Sequence, residues 1–211
     1  MKHRMRCVIV GASTALDHGF SAACVDSGDY LVCADGGLNI AAAAGVTPDL
    51  AVGDFDSALS VPEGIRVVRV KAEKDDTDSF LAVLEGLKAG CDEFVLYGCL
   101  GGRIEHTLAN FTLLKYLLDR DVPALMLDAH TRVRMTKNRM VLPRRENCYV
   151  SIVPYDGPAT GVTLRGLKYP LTDWTLTGDI TRGISNEFAA DEAVISLKTG
   201  TLLVIETDKT V

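Results

Sequence analysis

Residues 30–44 read Tyr30-Leu31-Val32-Cys33-Ala34-Asp35-Gly36-Gly37-Leu38-Asn39-Ile40-Ala41-Ala42-Ala43-Ala44. An apolar run of strand length is followed by an acid-glycine-glycine turn. The alanine-rich segment after it favours a helix. The same alternation continues on both sides: residues 7–10, 67–70, 94–97 and 124–127 read as strands, and 38–44, 79–89 and 107–118 as helices. Within 79–89, Phe80, Val83, Leu84 and Leu87 recur at i, i+3, i+4 and i+7, which predicts one buried helix face. Strands alternating with helices imply an α/β fold, a mostly parallel sheet with flanking helices.

Beyond about Arg139 the helical period is lost. Segments 148–153, 161–164, 174–176, 193–196 and 202–206 are short, rich in β-branched residues and separated by Gly, Pro, Asp and Asn. That texture predicts a C-terminal antiparallel β-sandwich domain. The expected organisation is an α/β domain at 1–130, a linker region at 131–143 and a sandwich at 144–211. The dense basic stretch Arg132, Arg134, Lys137, Arg139, Arg144 and Arg145 is read as a solvated linker rather than a phosphate-binding patch.

Of the 211 residues, 47% are apolar and 24% charged, which argues against a disordered chain. A net charge of −6 argues against a generally basic nucleic-acid surface, so no nucleic-acid partner is expected. The basic start Met1-Lys2-His3-Arg4-Met5-Arg6 leads into an apolar stretch that Gly11, Ser13 and Thr14 cut short, so a first buried strand is expected rather than a leader. No run reaches the ~18 apolar residues of a membrane span, which predicts a cytoplasmic protein without a membrane partner. The sequon Asn110-Phe111-Thr112 is then without consequence. Six cysteines with no Cys-x-x-Cys pair read as reduced, mostly buried thiols.

The acids carry the chemistry. Asp35 follows a strand, and the carboxyl ends of strands are where open α/β sheets bind ligands. Asp54 and Asp56, in Gly53-Asp54-Phe55-Asp56-Ser57, project to one side if that segment is extended. Lys74-Asp75-Asp76-Thr77-Asp78 precedes a helix, with Asp76 or Thr77 as N-cap candidate. Two like charges ~5 Å apart repel by about 3 kcal/mol at an effective dielectric of 20. Asp35, Asp54, Asp56, Asp75 and Asp78 gathered at one sheet edge therefore need either protons or a divalent cation. Oxygen ligands with few histidines select Mg²⁺ over zinc, and Mg²⁺ commonly brings substrate phosphates. A magnesium-dependent phosphoryl-transfer site is the resulting hypothesis.

Neither a P-loop nor a dinucleotide fingerprint occurs. Gly98-Cys99-Leu100-Gly101-Gly102-Arg103 instead joins a strand to a helix, where backbone N–H groups and Arg103 suit an anion. His106 is open to three roles: a base, a substrate hydrogen-bond partner or a structural residue at the helix start.

These blocks, with Gly101-Gly102-Arg103-Ile104-Glu105-His106-Thr107, Asn110, Gly166-Leu167-Lys168-Tyr169-Pro170-Leu171 and Gly183-Ile184-Ser185-Asn186-Glu187, closely resemble the thiamine pyrophosphokinase family in its bacterial form. The resemblance spans nearly the whole chain. It implies an α/β catalytic domain joined to a thiamine-binding β-sandwich, in a homodimer whose active sites lie between subunits. The implied reaction moves the β,γ-pyrophosphoryl group of ATP to the hydroxyl of thiamine, giving thiamine diphosphate and AMP. By motif, Asp54, Asp56 and Asp78 are expected around Mg²⁺ and the ATP phosphates, supported by Asp35 and Asp75. Lys74 and Arg103 would neutralise the transferring group, Gly101, Gly102, His106 and Asn110 would lie along the nucleotide or its phosphates, and Ser185 with Asn186 would contact thiamine. The family usually carries Asp where this chain has Glu105, one methylene longer. Trp174 is read as a sandwich core residue. Rival readings are a phosphohydrolase with Asp54 as nucleophile and a non-catalytic thiamine or nucleotide sensor.

Overall fold

Strands β1 (Arg6–Val10), β2 (Tyr30–Ala34), β3 (Leu50–Gly53), β4 (Arg66–Arg69), β5 (Glu93–Tyr97) and β6 (Ala124–Leu127) alternate with helices α1 (Gly37–Ala43), α2 (Asp78–Lys88) and α3 (Ile104–Leu118). They belong to a computed structural model that describes residues 5–13, 18–56, 58, 60–71 and 75–210. The chain divides into two units, Met1–Ala129 and His130–Val211.

In the first unit the strand order is β4-β3-β2-β1-β5-β6, and every neighbouring pair is parallel. The chain runs from β1 outward to β4. It then returns through α2 to place β5 on the other side of β1. Strand order therefore reverses between β1 and β5, and an open sheet binds ligands beyond the carboxyl ends of its strands at such a point. Burial on both faces explains the continuous apolar runs. Val8, Val10, Leu31, Cys33, Ala51 and Val95 pack with Leu38 and Ala41 of α1. The alternate residues Cys7 and Phe94 turn to the opposite face and meet α2, where a Cβ at Gly86 would lie 2.7 Å from the Cys7 sulfur.

That close approach corrects the expected α2 face. The buried residues are Ala82, Val83, Glu85 and Gly86, a stripe shifted toward small side chains, while Phe80, Leu84 and Leu87 are half-buried. Phe80 packs edge-on against Tyr116 of α3, with ring centroids 4.9 Å apart. Thr77 is the N-cap, its hydroxyl accepting the Phe80 N–H at 3.2 Å, and Asp78 sits in the first turn, where the helix dipole favours an acid. Strand β3 adds to the set expected from sequence, and α3 starts three residues before Thr107.

The second unit holds β7 (Thr131–Thr136), β8 (Arg139–Pro143), β9 (Cys148–Arg165), β10 (Leu171–Leu176), β11 (Asn186–Glu187), β12 (Glu192–Ser196) and β13 (Thr199–Asp208). Its ladders are antiparallel. The segments expected as separate strands at 148–153 and 161–164 are one strand, β9. Its first half pairs with β13, and its second half with β10 and β12. Between the halves Asp156, Gly157 and Gly161 have positive φ, which bends β9 from one ladder to the other. Val150, Ile152, Val162, Leu164, Ile195 and Leu202 form the core here.

Segment 131–143, expected as a linker, forms β7 and β8. Val133 and Met135 are buried, alternating with Arg132 and Arg134 in a strand period. Arg134 reaches Glu206 at 2.5 Å, and the following Arg145 reaches Asp208 at 2.6 Å, so partners on β13 match these charges. All six cysteines are free and five are buried. Among the described residues no helix is long and apolar enough to cross a membrane.

Candidate active site

At the β1/β5 reversal the two strand ends are joined backbone to backbone. The Gly11 N–H donates to the Tyr97 carbonyl at 2.8 Å and the Ser13 N–H to the Gly98 carbonyl at 2.9 Å. Gly98 has φ +61, and a Cβ there would lie 2.5 Å from the Gly11 carbonyl oxygen. Only glycine satisfies both the angle and the space. The loop that follows is fixed from α3, because the Asn110 Nδ2 donates to the Cys99 carbonyl at 2.9 Å and the Thr107 hydroxyl to the Gly101 carbonyl at 3.0 Å.

These strand ends, with the first turns of α2 and α3, enclose a cavity of about 390 Å³ lined by Asp35, Asp78, Gly101, Gly102, Arg103, His106 and Asn110 among others. The structure thus gathers seven of the residues expected around ATP. Burial pushes the thiol of Cys99, in the same wall, up to about 12, so it stays neutral and offers no nucleophile.

Asp35 leaves β2 with φ +44 and is tied down on both sides: its N–H donates to the Val52 carbonyl at 2.8 Å, and its carbonyl accepts the Leu38 N–H at 3.1 Å. Asp54 and Asp56 do not lie on an extended segment as expected. Phe55 between them has φ +64, and the Asp56 N–H folds back onto Asp54 Oδ1 at 3.2 Å. The turn still serves convergence, because carboxylate oxygens of Asp35, Asp54 and Asp56 all lie within 4.8 Å of one another. Buried Oδ1 of Asp35 has no hydrogen-bond partner. An orphaned carboxylate oxygen among all-oxygen donors fits a hard divalent cation. Asp78 lines the cavity beside this trio, whereas Asp75 is exposed and belongs to neither. Lys74 lies outside the described residues.

Arg103 precedes α3 in an extended conformation, and its Nε donates to Glu105 at 2.5 Å. Glu105 is thereby given a partner. Its carboxyl is held below the usual range first by its own backbone N–H at the helix start and then by Arg103. His106 is exposed at the cavity rim.

In the second unit Ser185 is exposed, with φ +55 and its N–H on the Ser151 hydroxyl at 3.0 Å. Asn186 departs from its expected role. It is 2% exposed, its Oδ1 accepts the Tyr169 N–H at 2.9 Å, and its Nδ2 donates to the Tyr169 carbonyl at 2.7 Å. Its amide is committed to the backbone and holds Tyr169, a residue that is 58% exposed. In the sequence Tyr169 carries no signal beyond its place in the Gly166–Leu171 block. Asn186→Ala is expected to destabilise the second unit by about 1–3 kcal/mol, since two part-buried backbone groups of Tyr169 lose their partner. Urea unfolding followed by circular dichroism measures this. Trp174 is not a core residue either: it is 42% exposed, and the Arg182 guanidinium lies 4.0 Å above its ring.

The protein-family model described as "Thiamin pyrophosphokinase, catalytic domain" matches residues 22–126, and that described as "Thiamin pyrophosphokinase, vitamin B1 binding domain" matches 137–202. The thiamine pyrophosphokinase of Bacillus subtilis (strain 168) is 32% identical over 171 residues, which span 77% of this chain and 79% of that protein.

The chain belongs to the thiamin pyrophosphokinase family.

The crystal structure of thiamine pyrophosphokinase from Bacillus subtilis has a TM-score of 0.87 at 26% identity, covering 96% of this chain and 99% of that one. The thiamin pyrophosphokinase from Geobacillus thermodenitrificans gives 0.83 at 27% identity, covering 97% and 98%. The two family matches fall on either side of the division at Ala129 and His130. The acid trio and the cavity lining from Ala34 to Asn110 lie in the catalytic match, and Ser185 and Asn186 in the vitamin-binding match. Thiamine pyrophosphokinase activity, pyrophosphoryl transfer from ATP to thiamine, is the function of this family, and a kinase acting on ATP calls for a divalent metal cofactor.

Proposed function

We propose that this chain makes thiamine diphosphate and AMP from thiamine and ATP in a Mg²⁺-dependent reaction, in the cytoplasm and as a homodimer. The observation that carries the reading is the Asp35, Asp54 and Asp56 trio, within 4.8 Å and holding one orphaned buried oxygen, beside a cavity edged by two helix starts. These three acids would hold Mg²⁺, which when bound screens them from the triphosphate and stabilises charge on the transferring group. Asp78 stands next to the phosphates. Gly101, Gly102, His106 and Asn110 border the nucleotide, and Arg103 and Lys74 grip the pyrophosphoryl oxygens. As thiamine's hydroxyl oxygen bonds to the β-phosphorus, the bond from that phosphorus to the α,β-bridging oxygen breaks. The hydroxyl proton passes to a cavity carboxylate, and AMP departs.

The second unit supplies the vitamin's seat. Its two ladders, sharing β9, are proposed as the faces of a sandwich. The exposed Ser185 and the aromatic face of Tyr169, held by Asn186, would meet the cationic heterocycle. Each site would combine one protomer's acid cluster with its partner's second unit.

Chelation by EDTA is expected to stop turnover and added Mg²⁺ to restore it; full activity in EDTA would contradict the metal site. Asn186→Ala disturbs the fold, so the shared site is better tested by refolding an inactive Asp54→Asn chain together with an inactive Tyr169→Ala chain. Random pairing regenerates an intact site in half the dimers, so about a quarter of full activity should return. No recovery would place each site within one chain.

A further inference from the structure

Two of the three clustered acids flank Phe55, whose φ of +64 is a backbone conformation that an aromatic residue rarely adopts. Such a conformation persists only where its surroundings hold it. One side of the restraint is the first-unit core, against which Phe55 packs with Ala58 and Val61. The other comes from β4. Arg69, its last residue, pairs in register with Gly53, the residue just before Asp54, and the Val70 N–H continues the ladder to the Gly53 carbonyl at 3.2 Å. From that position the Arg69 guanidinium carbon lies 5.2 Å from the centroid of the Phe55 ring. The ring is therefore held between apolar core and cation, and with it the turn that brings Asp54 and Asp56 to Asp35.

We propose that Arg69 is a positioning residue for the cation site, acting through the Phe55 ring to hold the Asp54–Asp56 turn. The inference rests on the reading of the acid trio as a metal site. It makes a prediction opposite to simple electrostatics. Arg69 is itself a cation near three acids, so on charge alone its removal should tighten the binding of a second cation. If it positions the turn, that gain is outweighed and its removal weakens cation binding, and only while the ring is present.

The test is a double-mutant cycle read by Mn²⁺ binding to the full chain without nucleotide, followed by electron paramagnetic resonance. Arg69→Met is compared in the unaltered background and in Phe55→Leu, with folding checked by circular dichroism. The expected result is that Arg69→Met is about two- to fivefold more damaging to Mn²⁺ affinity when Phe55 is present than when it is Leu. Arg69→Lys, which keeps a cation for the ring, should recover at least half of the loss. An equal effect of Arg69→Met in both backgrounds would overturn the proposal. Should Phe55→Leu not fold, the arginine variants decide: tighter or unchanged binding in Arg69→Met, or no recovery in Arg69→Lys, rejects it. Failure of the unaltered chain to bind Mn²⁺ would remove the metal-site reading and this inference together, whereas Mn²⁺ binding without coupling removes only this one.

Discussion

Asp35→Asn is expected to raise the melting temperature of the metal-free chain while lowering turnover by about two to three orders of magnitude, the range associated with losing transition-state charge stabilisation. The two effects share a cause. Asp35 sits within 4.8 Å of Asp54 and Asp56. At that spacing each pair of charges repels by about 3 kcal/mol at an effective dielectric of 20, before relaxation and screening reduce it. Asparagine keeps the volume and tolerates the φ of +44 found at Asp35, so the backbone bonds to Val52 and Leu38 survive. Its amide can also donate to the neighbouring carboxylates. Relief of about 1–2 kcal/mol corresponds to a rise of about 2–8 °C. The catalytic loss follows because a neutral amide neither draws a divalent cation strongly nor completes the charge balance around the phosphates. Calorimetry and a steady-state assay on one preparation check both halves. A lower melting temperature with reduced turnover would instead mark Asp35 as a structural residue.

Arg103→Met should reduce turnover by about 10²- to 10³-fold with the fold intact, the cost typical of removing one donor to a developing oxyanion. The side chain is 74% exposed and pairs with the exposed Glu105, so little stability depends on it. What is lost is a planar fork that can bind two oxygens of one phosphate group at once. Arg103→Lys keeps the charge without the fork and should recover only part of the rate. Thiamine binding, measured by fluorescence or calorimetry, should change little in either variant. A turnover within threefold of normal in Arg103→Met would remove this residue from the phosphate site. Glu105 modulates the same group: held by its own backbone N–H and by Arg103, it pairs with the guanidinium at the helix start.

What could be read from sequence follows from range. The strand at 30–34, its Asp-Gly-Gly turn and the helix after it depend on neighbours within a few residues, and the structure has them as expected. Acids at strand ends and helix starts were legible for the same reason, since topology alone carries those ends to one edge. Strands β7 and β8 were not, because Arg134 of β7, which looked solvated, finds Glu206 more than sixty residues away in sequence, and β8 is fixed by its own long-range ladder with β12. The α2 face was misread because close packing on Cys7 and Phe94 favours the Ala82 and Gly86 side over bulkier leucines. Phe55 gave no signal, as no local preference places an aromatic residue at positive φ. Asn186 looked like a ligand contact because a polar residue in a motif invites that reading. Its partner, Tyr169, is seventeen residues away and is recognised through its backbone.

The most direct test of the account is the stoichiometry of a single quenched reaction containing the purified chain, ATP, thiamine and Mg²⁺. AMP and thiamine diphosphate are expected to appear one for one, with neither formed when thiamine or Mg²⁺ is omitted. Release of inorganic phosphate or ADP independent of thiamine, or AMP without thiamine diphosphate, would contradict pyrophosphoryl transfer at the acid cluster.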